Sequence, residues 1–151
     1  MIGASCGLTR GMGVSDAPKP LSGWRTGFDA LIQSRLSAPF EWGRNDCCIF
    51  AADAAREITG IDHAADVRGS YATERSAARV LSRLGGVAAV AARGGQECSP
   101  LMARVGDVCL VMQGPREALA VCVGGLLVAP CERGLGAMPL NSAIRAWRTY
   151  G

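Results

Sequence analysis

The sequence predicts a single α+β domain, with helices first and a small antiparallel sheet after them. Apolar residues recur at helical spacing as far as Ala92, and from Gly106 onward the period shortens to that of strands. The stretch Gly94 to Pro100 breaks both patterns and marks the change. At 151 residues and 49% apolar content, the chain has the length of one domain and enough apolar side chains to fill a core.

Residues 1–22 carry Gly11, Gly13, Pro18 and Pro20 without periodicity and read as an extended N-terminal arm with no core of its own. The domain proper is expected over residues 23–151. Phe28, Leu31, Ile32 and Leu36 lie at helical spacing, so Trp24 to Leu36 is the first helix, and Pro39 ends it. The second runs from Asp46 to about Thr59, with Cys47, Phe50, Ala51, Ala54 and Ile58 on one stripe and Gly60 as its stop. Its alanine-rich face predicts close packing against another element. Asp62 to Asp66 reads as a short helical turn, Ala72 to Leu84 as a third helix closed by Gly85-Gly86, and Val87 to Ala92 as a fourth.

In the second half, Asp107 to Met112 and Ala118 to Val123 read as strands. Gly124-Gly125 then forms a tight hairpin turn into Leu126 to Ala129. Gly136 to Leu140 reads as a further strand, and Ser142 to Tyr150 as a short terminal segment carrying Trp147. Runs of helices followed by runs of antiparallel strands make an α+β layout.

Composition excludes several functions. A net charge of +3 with scattered arginines and a single lysine, Lys19, predicts no nucleic-acid partner. No apolar run approaches the roughly 20 residues that span a bilayer. The opening Met1 to Cys6 is too short and uncharged for a secretion signal. Seven cysteines is an odd number, and none are spaced as Cys-x-x-Cys. The expectation is a reduced protein made in the cytoplasm, with no bound metal and no cofactor.

The chemistry concentrates at Trp42-Gly43-Arg44-Asn45-Asp46-Cys47-Cys48. Asp46 is an N-cap, with a worth of about 1 kcal/mol. Cys47 falls in the first turn, where the partial positive charge of a helix N-terminus stabilises a thiolate. Cys47 is therefore a candidate nucleophile or, more plainly, a small residue buried at a helix start. Cys48, one position round the helix, is a packing residue. Trp42 and Trp147 form either a sugar-stacking platform or part of the core, and Arg44 is either a carboxylate ligand or a solvated charge. The one histidine, His63, lies beyond the far end of the helix, roughly 20 Å from Cys47 at 1.5 Å per residue.

These residues carry a resemblance. Phe40-Glu41-Trp42-Gly43 leading into Asp46-Cys47, followed by a strand opened by Gly106-Asp107-Val108, resembles the NlpC-type cell-wall peptidases, which are papain-like. The wider set is Thr59-Gly60-Ile61-Asp62, Arg68-Gly69-Ser70-Tyr71 and Ala146-Trp147-Arg148. With it, residues 24 to 150 look like a group of phage and prophage tail proteins. The resemblance implies a papain-like fold with N-terminal helices packed on a small antiparallel sheet, and it puts Cys47 at the nucleophile position. Alignment on Val121-Cys122-Val123-Gly124 puts Ala118 where the family has its basic histidine, and Ala129 or Pro130 where a polar residue would orient it. Neither position can do that work, because amide cleavage needs a base that later protonates the leaving amine.

The function this implies is a catalytically inactive structural component of a phage tail tip or baseplate hub, derived from a cell-wall cysteine peptidase. Its partners would be other tail-tip and hub proteins, reached through the arm 1–22 and the domain surface, with peptidoglycan as a further contact, and its place would be the virion. Two alternatives stand beside it: an active cysteine peptidase or amidase cleaving peptidoglycan peptides, and a thiol or metal-binding module.

Overall fold

The computed structural model describes residues 17–151; most of the expected arm, residues 1–16, lies outside them. The last part of that arm, residues 17–22, is held against the domain: Leu21 donates its amide to the Ile58 carbonyl at 2.7 Å, and the Gly151 amide donates to the Pro18 carbonyl at 2.9 Å.

Among the described residues, four helices precede the main strands, α1 (Trp24–Arg35), α2 (Cys47–Thr59), α3 (Glu74–Leu84) and α4 (Val87–Ala92). Six strands follow: β1 (Gln96–Cys98), β2 (Val108–Gln113), β3 (Arg116–Cys122), β4 (Leu126–Cys131), β5 (Gly134–Pro139) and β6 (Arg145–Arg148). The helices begin and end where side-chain chemistry dictates. Thr73 caps α3, its hydroxyl accepting from the Ser76 amide while Ser76 reaches back in a capping box. Gly60 closes α2 in the left-handed conformation, φ 79°. Asp62 to Asp66, expected as a helical turn, is a non-helical turn, because the Asp62 carboxylate bonds the Ala64 amide two residues on.

The strands form one sheet in the order β1-β6-β2-β3-β4-β5, with every pair antiparallel. Two of the strands are short pieces the sequence did not announce. β1 lies within the expected loop Gly94 to Pro100, and the terminal segment enters the sheet as β6 between β1 and β2. Both have too few residues for an alternating pattern to register.

Both faces of the sheet are buried. Val108, Leu110, Leu119, Val121, Val128 and Trp147 point towards the helices and share a core with Phe28, Phe50, Ala54 and Ile58. The other face carries smaller side chains: Cys109, Val111, Ala118, Ala120, Cys122, Leu127, Ala129 and Ala146. Cys98 from one edge strand and Met138 from the other pack against this second cluster. Ala103, Leu140 and Ala143, from the turns beside the sheet, also pack on this alanine- and cysteine-lined face and help to cover it.

Asp107 closes the sheet against the C-terminus. Fully buried, its carboxylate accepts from the Arg104 amide (2.8 Å), the Thr149 amide (3.0 Å) and the Arg148 guanidinium (3.0 Å). Asp107→Ala leaves a nearly buried guanidinium and a buried amide without an acceptor, and is expected to cost about 3 kcal/mol. The measurement is the urea midpoint at unchanged m-value. Asp107→Asn, which retains an acceptor oxygen, should lose less, and equal losses in the two variants would refute the pairing as the cause.

Candidate functional site

The site is built at the start of α2. The chain leaves α1 through Ala38 and Pro39, makes a tight turn closed by the Asn45 amide on the Glu41 carbonyl (2.7 Å), and enters the helix at Asp46. Gly43 sits in that turn at φ 81°, and a Cβ there would stand 2.1 Å from the Tyr71 carbonyl oxygen, so only glycine fits. Asp46 is extended and buried. Its Oδ1 accepts from the Ile49 amide at 2.9 Å, and its Oδ2 accepts from the Gly43 amide at 2.8 Å and the Tyr71 hydroxyl at 2.7 Å. Burial, with the bond to Asp46, holds the Tyr71 phenol above its usual range, so it stays a donor.

Cys47 is the first residue of the helix and is partly buried against both clusters of the sheet. Its sulfur lies 4.0 Å from that of Cys48, and both thiols are free. The bond to the Cys48 thiol holds Cys47 below the usual cysteine range against the opposing effect of burial, and the Leu119 backbone adds to the lowering. The same bond, with burial, pushes Cys48 well up. Of the two, Cys47 is the thiolate-prone sulfur and Cys48 the one held towards its protonated form. Cys48 has more than a packing role: it is the hydrogen-bond partner of Cys47.

No base faces that sulfur from the sheet. Ala118, which the resemblance aligns with the missing histidine, is buried in the second cluster, on which Cys47 also packs, and its neighbour Leu119 lines a cavity with Cys47. Ala129 is in the same cluster, and Pro130 is fully buried beside it. All four are apolar and can neither move a proton nor orient a ring.

The position of His63 is not set by the helix rise alone. Rise per residue measures distance only along a helix, but Gly60 reverses the chain and the following loop runs back beside α2, where Ala64 packs on Ile49 and Ala52. An ion-pair cluster fixes the loop there. The Asp53 carboxylate, from the middle of α2, accepts from Arg35 of α1 and from Arg68 of the loop, both at 2.6 Å, and Arg68 also grips Asp62 at 2.8 Å. His63 consequently lines the same cavity as Cys47 and Cys48, a space of about 80 Å³ between α2, the loop, α3 and α4. Its Nε2 is buried and has no hydrogen-bond partner among the described residues. Burial, and secondly the charge of Arg93, holds the imidazole below its usual range, so it is neutral at neutral pH.

The remaining candidates divide. Trp147 is 2% exposed and belongs to the core, which removes it from any open sugar platform. Trp42 stands edge-on to Phe40 at 4.7 Å. Arg44 is solvated and loosely paired with Glu41 at 3.4 Å. The alanine-rich face of α2 is only partly close-packed: Ala54 meets the sheet, while Ala51, Ala52 and Ala55 border the cavity. Among the described residues, no three His, Cys, Asp or Glu side chains converge as a metal site. Sequence reasoning gave no site role to Tyr71, Arg35, Asp53 and Arg68, although Arg68 and Tyr71 stood in a quoted motif and Asp53 is a polar residue in an otherwise apolar helical run.

The family described as a domain of unknown function (DUF6950) matches residues 19–149, and the chain belongs to it. No curated protein and no solved structure matches. Among the described residues, no helix is long and apolar enough to cross a membrane.

Two pH effects follow. Alkylation rate tracks the thiolate fraction, so Cys47 should reach half-maximal reactivity below the ordinary cysteine value of 9.0, while Cys109, pushed up to about 12 by burial, stays inert. Peptide mapping after iodoacetamide treatment across pH measures this, and Cys48→Ala should shift the Cys47 profile upward. For His63 the folded value is lowered, so the unfolded chain takes a proton first. Its contribution to stability is complete above 6.5 and is lost as pH falls from there through the lower folded value. Denaturation of wild type and His63→Gln between neutral and acid pH should show a shallower decline in the variant.

Proposed function

We propose that the chain is a structural component of a phage or phage-like tail tip or baseplate hub, built on a papain-like cell-wall peptidase fold and catalytically inactive. The observation that carries the reading is the environment of Cys47. The resemblance assigns its sulfur, at the start of α2, to the nucleophile's position, and the neighbouring β3 residues on the sheet's two faces, Ala118 and Leu119, carry no base. A thiolate stabilised by a helix start and a neighbouring thiol can attack a carbonyl. It cannot return a proton to a leaving amine, and amide cleavage stops there.

The order of motifs supports the peptidase ancestry: an aromatic-Gly turn, Asp46-Cys47 opening the central helix, then Gly106-Asp107-Val108 opening β2. Assembly through partners is supported by the exposed apolar side chains Leu101, Met102 and Ile144, 72%, 65% and 51% exposed, on and beside the turns that pack on the second face of the sheet. Contacts with neighbouring tail subunits would run through this surface and the arm 1–22, with peptidoglycan as the further contact and the virion as the location.

One observation favours a second reading, an active peptidase or amidase cleaving peptidoglycan peptides: His63 shares a cavity with Cys47. Against it, the buried Nε2 of His63 makes no hydrogen bond among the described residues, and burial disfavours the protonated imidazole that must serve as the acid. Purified protein incubated with peptidoglycan fragments, alongside Cys47→Ala and His63→Gln, should release no new amine termini above the Cys47→Ala background. Cleavage that both substitutions abolish overturns the structural reading. Mass spectrometry of purified tail particles should find the chain in them at fixed stoichiometry.

A further inference from the structure

We propose that the cavity beside α2 is a binding site for a small, uncharged, mostly apolar molecule bearing one hydroxyl group, with the hydroxyl donating to Nε2 of His63. The inference goes beyond the structural role and uses no thiol chemistry.

The cavity has a cause in the sequence. Ala51, Ala52 and Ala55 of α2 look towards Ala77 and Val80 of α3, and side chains this small cannot fill the separation between the two helices. At about 80 Å³ it exceeds the roughly 10–15 Å³ that one water needs, so several could fit. Its walls hold almost no polar atoms to secure them, and loosely held water is displaced by carbon at a gain. The body of the ligand is therefore apolar. The free thiols at one end, Cys48 protonated, are soft and polarisable and suit the edge of a ring.

The polar end is set by His63. A buried ring nitrogen without a partner is costly, and a bound group that pairs with it removes the cost. The ring is neutral, so one nitrogen carries the proton. Only Nε2 is a buried orphan, and placing the proton on Nδ1 spares the site an unsatisfied buried donor. Nε2 then accepts, and the ligand must donate. Charge narrows the choice. Arg93 lines the cavity and repels a cationic head; it already pairs with Asp66 at 2.8 Å, and the Asp46 carboxylate, also in the lining, already accepts three hydrogen bonds. Apolar walls penalise either charge. A hydroxyl donor remains.

The test titrates the full chain with phenol, toluene, benzylamine and benzoate, following amide shifts in ¹H–¹⁵N correlation spectra. The expected result is phenol binding most tightly, with shifts along Ala51 to Ala55 and around His63. The phenol-to-toluene affinity ratio should fall about tenfold in His63→Leu, as the hydroxyl loses its acceptor, and recover in part in His63→Gln. Should His63→Leu not fold, wild type taken down in pH until the His63 ring resonances report protonation serves instead, because a protonated imidazole cannot accept and the ratio must drop. Tighter binding of the amine or the carboxylate, shifts elsewhere on the surface only, or a ratio unmoved by both His63→Leu and acid pH would each overturn the assignment.

Discussion

Three hydrogen bonds converge on the carboxylate of Asp46, and the geometry of the site depends on them. The bond from the Ile49 amide satisfies the first turn of α2, the bond from Gly43 fixes the turn before it, and the bond from the Tyr71 hydroxyl brings in a loop twenty-five residues downstream. One buried anion with three donors sets where the helix begins, and so where Cys47 and Cys48 lie relative to β3. The closeness of Tyr71 also explains Gly43, since the backbone at 71 occupies the space a Cβ would need. Burying a carboxylate is costly unless its lone pairs are filled, and here donors from three separate segments fill them.

The same residue type gives opposite outcomes on the two sides of the fold. On the second face of the sheet, Ala118, Ala120, Ala129 and Ala146 are almost fully buried, because Ala103, Leu140 and Ala143 help to cover that face. Between α2 and α3 the alanines leave a cavity. The spacing there is set by other elements: Asp53 binds Arg35 and Arg68 and locks α1 and the returning loop onto α2, while the Tyr71 bond holds the chain that leads into α3. With those ties in place the helices cannot close further, and the gap stays.

The helices and the four longer strands were legible because each is long enough to show a period and is bounded by Gly, Pro or a capping side chain. β1 and β6 were not, since three or four residues acquire strand geometry only by pairing, and that pairing joins positions about fifty residues apart. The start of α2 could be read down to its cap. The position of His63 could not, because it depends on where Gly60 turns the chain and on a buried ion pair, and neither leaves a local pattern. A helix-rise argument fails wherever the chain doubles back. The face on which Ala118 falls was also beyond an alignment: a strand alternates by single residues, so a shift of one position exchanges Ala118 for Leu119.

Cys48 bears on whether the site retains chemistry. In a working thiol enzyme the nucleophile gives its proton to a base that can hand it on. Here the neighbour of Cys47 is a second thiol, driven towards its protonated form by burial and by the bond it makes to Cys47. The two sulfurs lie 4.0 Å apart and are each other's hydrogen-bond partner, and among the described residues the one histidine, His63, makes no hydrogen bond to either. Such an arrangement lowers the thiol pKa without creating a catalyst, because the donor that stabilises the thiolate is too weak an acid to protonate a leaving amine. The helix start persists on its own account, since Asp46 ties three segments of the fold together whether or not the sulfur beside it reacts.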